Sequence, residues 1–411
     1  MPSPLFSDSE WLRALSEAHP KAKELLDRSA AEQQKQGYFY TLHETCQQPK
    51  SWIHTSEQML DSVASVKKCV SGIASLVLTG SGSSEFAGDC VRMRLQNELG
   101  VVVQAIGGGT LLTHRSMALP PEKPGLMVSL ARSGDSPESV GALSVILDIE
   151  PQVRHLVLTC NENGGLAQSF RDHPRVTVIA LDDGTNDRSL VMTSSFTNLV
   201  LAARFLGFLR QPTAYRDLCL RLSVIAGGLI ETYFETFARV ASTGFRRAVF
   251  LGSGSRFGAA REASLKMLEM TSGRVPTVCE TYLGFRHGPM SFAHDDALIV
   301  CFFSSDPILR AYESDLLREL DQKELGLSKL IIGEDIPPEV TRENDVVIEC
   351  PGLAEVGDED AVVVDVVAGQ LLAFFRCLNE GLRPDSPSED GVINRVVQSF
   401  TLHYPKQGTQ A

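Results

Sequence analysis

The chain has 411 residues, a hydrophobic fraction of 43% and a formal net charge of −13. That length favours two domains, and the apolar content is enough for ordinary cores. The acidic balance excludes general nucleic-acid or anionic-membrane binding, which needs concentrated Lys and Arg. Nine cysteines are scattered singly with no CxxC. They fit reduced thiols in a cytoplasmic protein better than a disulfide framework. The start, MPSPLFSDSEWLRALSEAHP, carries acids and no apolar stretch, so no signal peptide is expected. The most apolar helical stretches are interrupted by Arg204 and Asp365, so no membrane span is expected.

Residues 7–36 read as helical, being rich in Ala, Leu, Glu, Lys and Gln, and Pro49 reads as a break. Short apolar runs then alternate with helical stretches, at 73–78, 101–106, 125–130, 154–159 and 176–181. A long helical stretch over 194–240 follows. The alternation resumes at 247–251, 275–279, 297–303, 328–332 and 345–349, before a final helix near 361–380. Such alternation implies βαβ units with parallel sheets. The expected fold class is therefore α/β, and the expected division is a helical segment 1–50, domains 51–215 and 216–380, and a tail 381–411.

Two stretches look alike. LTGSGSSEFAG (78–88) matches FLGSGSRFGAA (250–260), and each follows an apolar strand and opens a helix. An internal duplication of one α/β domain explains this; the alternative is a chance likeness of two strand–glycine turns. The first loop lacks the third glycine of a dinucleotide fingerprint, with Glu85 in its place. It also lacks the Gly-Lys-Ser/Thr of a P-loop. A helix opening at Glu85 would present backbone N–H groups and a positive dipole end to an anion. Ser83 and Ser84 would add hydroxyl donors, or Ser84 would serve only as a helix cap.

A second strand–turn–helix, MVSLARSGDSPESVGAL (127–143), places Ser133, Gly134 and Ser136 within four positions. Adjacent parallel strands would bring this loop beside Ser83 and Ser84, at the carboxyl edge where open α/β sheets hold ligands. Two serine-rich helix starts converging on one point favour a phosphate monoester over two coincidental caps. Arg132 would neutralise that phosphate, contact a sugar hydroxyl, or point outward.

GSGSSEFAG, ARSGDSPES, REASLKMLEM (261–270) and ETYLGFRHGPMSF (280–292) resemble segments of the sugar isomerase (SIS) family of sugar-phosphate enzymes and sensors. SLVMTSSFTNL (189–199), GFRHGP and GVINRVVQSFT are most similar to its tagatose-6-phosphate ketose/aldose isomerase group, also described as galactosamine-6-phosphate deaminases. The resemblance covers roughly residues 45–400. It implies two tandem SIS domains, each a flavodoxin-like parallel sheet between helices. It further implies a phosphate held by Ser83, Ser84, Ser133, Gly134 and Ser136, with Arg132, Thr193 and Ser194 on the substrate. Glu269 falls at the position of the general base and His287 at that of the ring-opening histidine, which in the family can come from a neighbouring subunit. A homodimer or larger assembly is therefore implied, with no cofactor and no metal.

Two departures from the aminosugar synthase of the family stand out. Its reactive C-terminal lysine has no counterpart in INRVVQSFT (393–401), which offers Arg395 and Gln398; Lys406 lies beyond. No glutaminase segment precedes the first SIS-like stretch, so ammonia from glutamine is not expected. In the second half, CFFSSDPILRAYES (301–314) lacks the Ser-Gly-x-Ser of its counterpart. One phosphate cradle per chain is expected.

Isomerising an aldose phosphate removes a proton at C2 and returns one at C1. A carboxylate with a raised pKa suits this step. Glu269, among Leu265, Met267, Leu268 and Met270, is expected to be desolvated in that way; an exposed face of an amphipathic helix is the alternative. Lys266, one turn earlier, would orient it, contact a sugar hydroxyl or form a surface ion pair. The favoured expectation is conversion of an amino-sugar 6-phosphate to tagatose 6-phosphate and ammonia. A plain aldose–ketose isomerase and a non-catalytic sugar-phosphate sensor are the alternatives, and retention of Glu269 and His287 favours catalysis.

Overall fold

A computed structural model describes residues 8–388, 390–397 and 401–403. Gln398 and Lys406 lie outside the described residues. Among the described residues, ten strands form two parallel sheets. The first comprises β1 (Ser75–Gly80), β2 (Val102–Gly107), β3 (Gly125–Ala131), β4 (Val153–Thr159) and β5 (Val176–Ala180), in the order β2-β1-β3-β4-β5. The second comprises β6 (Arg247–Leu251), β7 (Thr277–Glu280), β8 (Ala297–Phe302), β9 (Ser328–Gly333) and β10 (Val346–Glu349), in the order β7-β6-β8-β9-β10. Relabelled within each half, the two orders are identical, and both are the flavodoxin-like order. Every ladder is parallel. Each expected apolar run overlaps one of these strands; β1, β3 and β8 are buried throughout and read as continuous apolar segments because both their faces are covered.

The helices depart from the sequence reading at several points. The 7–36 stretch divides into Asp8–Ala18, Pro20–Leu26 and Ala30–Gln36. Ser29 and Glu32 form a capping box that restarts the chain as a helix after Leu26. Pro49 opens a helix instead of breaking one. It sits in the first turn of Gln48–Asp61, where its missing N–H costs no hydrogen bond. That helix runs across residue 50, and Pro212–Ala241 runs across residue 215, so these two expected limits fall inside helices, whereas the third, after residue 380, follows the end of Asp358–Asn379. The 194–240 stretch is interrupted by a 3-10 turn at Phe205–Phe208.

The helix Asp358–Asn379 is long and apolar enough to cross a membrane by length and composition alone, yet 94% of its most apolar window is buried. It packs against Ser255–Met270 and Pro212–Ala241 and reaches helices of the first half. The approach is close: a Cβ on Gly369 would stand 2.5 Å from that of Ala263. Inside this contact Arg256 donates from Nε and Nη2 to both carboxylate oxygens of Asp365, at 2.7 and 2.6 Å, with both side chains fully buried. A bidentate pair of this kind compensates two desolvated charges. One apolar cluster runs from Trp11 to Leu382 and takes in both halves.

Candidate active site

The loop after β1 turns at Gly82, whose φ of 58° and ψ of −126° lie in a region open to glycine alone. The helix Ser83–Leu99 therefore starts two residues before the expected Glu85. β1 pairs with β3, with Thr79 opposite Ser129, so the loops after both strands meet at one edge. The second of these loops turns at Gly134 (φ 68°) and opens the helix Pro137–Ile149.

Two adjoining cavities occupy this edge. The smaller, about 120 Å³, is lined by Ser81, Ser84, Ser133, Gly134, Ser136 and Arg132 among others. The larger, about 480 Å³, adds Ser83, Glu138, Leu190, Lys266 and Glu269. Ser81, Arg132, Met192, Arg395 and Val397 line both. The structure thus gathers the four serines and Gly134, and puts Lys266 and Glu269 beside them. The hydroxyls of Ser81 and Ser136 are buried without a protein partner, and no side chain caps the helix at Ser136. Their donors, with the adjacent helix N–H groups, are open to an anion. A larger cavity of about 570 Å³ lies at the opposite edge of the second sheet, near the starts of β9 and β10. Helix N-termini do not converge there.

The second half contributes the charged end of the pocket. Lys266, at the buried seam between the helices Ser255–Met270 and Ser83–Leu99, donates 3.0 Å to Ser83 Oγ and also donates to Glu269. Its Nζ stands 3.3 Å from Glu262 Oε1. Burial works to discharge this lysine, but Glu262 and Glu269 outweigh it and hold its pKa above the ordinary value. The desolvated carboxyl expected at Glu269 is found about two turns earlier in the same helix, at Glu262. Glu262 is fully buried, and its pKa is pushed up to about 7 by burial and by repulsion from Glu269, against Lys266. Glu269 itself keeps 23% of its side chain exposed and faces the pocket. Glu262 was legible in sequence as the i−4 neighbour of Lys266.

Three expected residues stand elsewhere. His287 is exposed, in the turn after Tyr282–Phe285, and does not line the pocket. Thr193 and Ser194 are fully buried beneath the site. There the backbone N–H of Thr193 and the hydroxyl of Ser194 donate to Asp187, at 2.7 and 2.5 Å. The side chains that reach the pocket from this segment are Leu190 and Met192. Arg132 is 8% exposed and points neither outward nor wholly at the cradle. It donates to the carbonyls of Ser189 (3.3 Å), Leu190 (2.9 Å) and Arg395 (2.5 Å). Arg395 in turn donates to the Asp187 carbonyl (2.8 Å) and Asn186 Oδ1 (2.7 Å). These bonds lay residues 392–397 along the pocket wall.

No family model matches the chain. It is 32% identical to a D-galactosamine-6-phosphate deaminase AgaS of Shewanella sp. (strain ANA-3), over 91% of this chain and 94% of that protein. It is 31% identical to the D-galactosamine-6-phosphate deaminase AgaS of Escherichia coli, over 89% and 95%. Among solved structures, a tagatose-6-phosphate ketose/aldose isomerase from Escherichia coli superposes with a TM-score of 0.80 at 29% identity, covering 90% of this chain and 97% of that one. The C-terminal domain of a glucosamine-fructose-6-phosphate aminotransferase from Francisella tularensis shares the fold, with a TM-score of 0.72 at 18% identity, over 84% and 98%. The chain belongs to the sugar isomerase (SIS) family, in the group that contains these deaminases and tagatose-6-phosphate isomerases.

Proposed function

We propose that this chain converts galactosamine 6-phosphate to tagatose 6-phosphate and ammonia. The observation that carries the reading is the junction of two unlike cavities. One offers unpartnered hydroxyls and helix N–H groups and no carboxylate; the other holds Lys266 and Glu269. A sugar phosphate is bipolar in the same sense. Its phosphate would take Ser81, Ser84, Ser133, the Gly134 turn and Ser136, and its C1–C2 end would lie by Glu269. The relatives named as galactosamine-6-phosphate deaminases support the substrate.

Glu269 removes the C2 proton of the open-chain aldehyde, and the electron pair moves to form an enolamine. Lys266 holds the carboxylate in place and balances charge developing on O1. Return of the proton to C1 leaves a C2 imine. Water adds at C2, and ammonia leaves with the nitrogen's bonding pair, giving the ketose. His287 would open the sugar ring. Its exposure and its distance from its own pocket support its supply by a neighbouring copy of the chain. No step requires a metal or cofactor.

The test offers the purified chain galactosamine 6-phosphate, glucosamine 6-phosphate and an aldose 6-phosphate without an amino group, and follows ammonia and ketose together. Release of both from the galacto sugar is expected. Ketose formation from an aldose phosphate, with no ammonia from either amino sugar, would instead assign plain isomerase activity.

A further inference from the structure

The segment Asp187–Met192 forms one wall of the pocket, yet nothing in that wall is covalently near the loops it faces. Arg132 and Arg395 grip its carbonyl side from within the site. On its other side Glu44, on the helix Phe39–Cys46, which precedes both sheets, takes the N–H groups of Arg188 and Ser189, and the Asp385 carbonyl takes that of Leu190 at 2.9 Å. Glu44 Oε1 accepts from the backbone N–H of Arg188 at 2.5 Å. Glu44 Oε2 lies 2.5 Å from Ser189 Oγ and 3.3 Å from the Ser189 N–H. Glu44 is 7% exposed.

The hydroxyl of Ser189 offers a protonated Glu44 a complete set of partners. It lies within hydrogen-bond distance of two oxygens, Glu44 Oε2 at 2.5 Å and the Val191 carbonyl at 3.0 Å, and it has one proton. If Glu44 is ionised, the Val191 carbonyl or the carboxylate goes without that proton. If Glu44 carries a proton on Oε2, it donates to Ser189 Oγ, which donates onward to Val191, and every group is satisfied. We propose that Glu44 is a positioning residue whose protonated carboxyl seats the 187–192 wall, and that its ionisation loosens the wall and weakens sugar-phosphate binding as pH rises. This deepens the functional reading above and rests on it.

The charged surroundings agree. Asp187 faces Glu44 and is committed to four donors at Thr193, Ser194 and Ser195, so a second negative charge beside it is disfavoured. The guanidinium of Arg188 is turned to the ring of Tyr40, 5.9 Å from its centroid. Arg132 and Arg395 spend their donors on carbonyls and Asn186. Asp385 takes the N–H groups of Tyr40 and Thr41 on the same helix. Burial first, and then Asp187, push the Glu44 pKa up to about 7, against the hydrogen bonds from Ser189 and Arg188.

The experiment compares wild type, Glu44→Gln and Glu44→Ala between about pH 6 and about pH 8.5, a range that brackets this titration. It reads KM and kcat on galactosamine 6-phosphate, tagatose 6-phosphate affinity by calorimetry, and Tm without ligand. Wild-type KM should rise by about tenfold across the range while kcat changes less. Glu44→Gln, which donates to Ser189 at every pH, should keep the low KM, and Glu44→Ala should have a high KM throughout. Without ligand, Glu44→Gln should gain Tm over wild type as pH rises. Superimposed wild-type and Gln profiles in both KM and Tm would overturn the inference, because Glu262, the other pocket group near neutrality, is common to both. A wild type with normal pH-dependent Tm differences but no turnover or binding would overturn the functional reading instead.

Discussion

The two halves of the molecule start from the same loop and end with opposite contents. Gly82 and Gly254 share one backbone conformation, φ 58°, ψ −126° against φ 57°, ψ −127°. In the first half Ser84 follows two residues later. In the second that place is held by Arg256, tied into the core by Asp365. In the first half the helix after β3 begins at Ser136, whose hydroxyl is unpartnered. In the second the helix after β8 begins at Asp306, whose carboxylate takes the N–H groups of Ile308 and Leu309 at 2.9 and 3.0 Å. Glu313 completes the difference. Its oxygens accept from Ser253 Oγ (2.6 Å) and the Ser304 N–H (2.7 Å), donors that an incoming anion would otherwise use. The same scaffold thus leaves its loop donors open in one half and fills them with its own carboxylates in the other, and a handful of side chains decide which.

The largest expected effect separates chemistry from binding. Glu269→Gln should lower kcat by about 10²–10⁴ while leaving tagatose 6-phosphate affinity within a few-fold. Retained turnover would remove Glu269 as the base. Next, Ser84→Ala with Ser136→Ala should raise KM by roughly tenfold to a hundredfold, since each removes a hydroxyl donor to a charged group. An unchanged KM would reduce both serines to structural roles. In the second half, Glu313→Ala should cost on the order of 2–3 kcal/mol of stability, by leaving buried donors unmatched, with little change in KM. A smaller, pH-dependent effect follows from Glu313 itself, whose pKa is pushed by burial up to about 7. A carboxyl raised above its unfolded value binds its proton more tightly when folded. Its contribution to stability therefore falls as pH rises from about 4.5 to 7. Glu313→Gln should gain on wild type across that window, read by thermal melts, and equal Tm differences at pH 5 and pH 8 would refute it. The smallest effect is the mirror control: Ser255→Ala should leave KM and kcat within about twofold.

The strands were readable because a strand covered on both faces writes its burial into consecutive residues, as in LIVCF at 298–302. The gathering of Ser83, Ser84, Ser133, Gly134 and Ser136 was readable because they sit within a few residues of each other, at two strand ends that the topology brings together. Glu262 was readable by helical spacing with Lys266 but hidden by its resemblance to a solvent-facing glutamate. The 187–192 wall was not readable. Its order depends on Glu44 and Arg395, 145 and 208 positions away along the chain from their partners Ser189 and Asp187. No local periodicity records such a contact. Thr193 and Ser194 illustrate the same limit: hydroxyls beside a pocket and hydroxyls beneath it look alike until Asp187 is placed.

The helix Asp358–Asn379 has a consequence for how the chain is made. It lies near the end of the sequence, yet Gln370 bonds to Gln48 and to the Thr193 carbonyl, and the helix also packs on Ser255–Met270. During synthesis the first sheet emerges long before the helix that covers its neighbours. Until then the helices Phe39–Cys46, Ser83–Leu99 and Ser194–Arg204 lack the partner they pack against in the finished fold. A nascent chain that ends before residue 358 therefore exposes apolar surface that the finished fold covers with this helix.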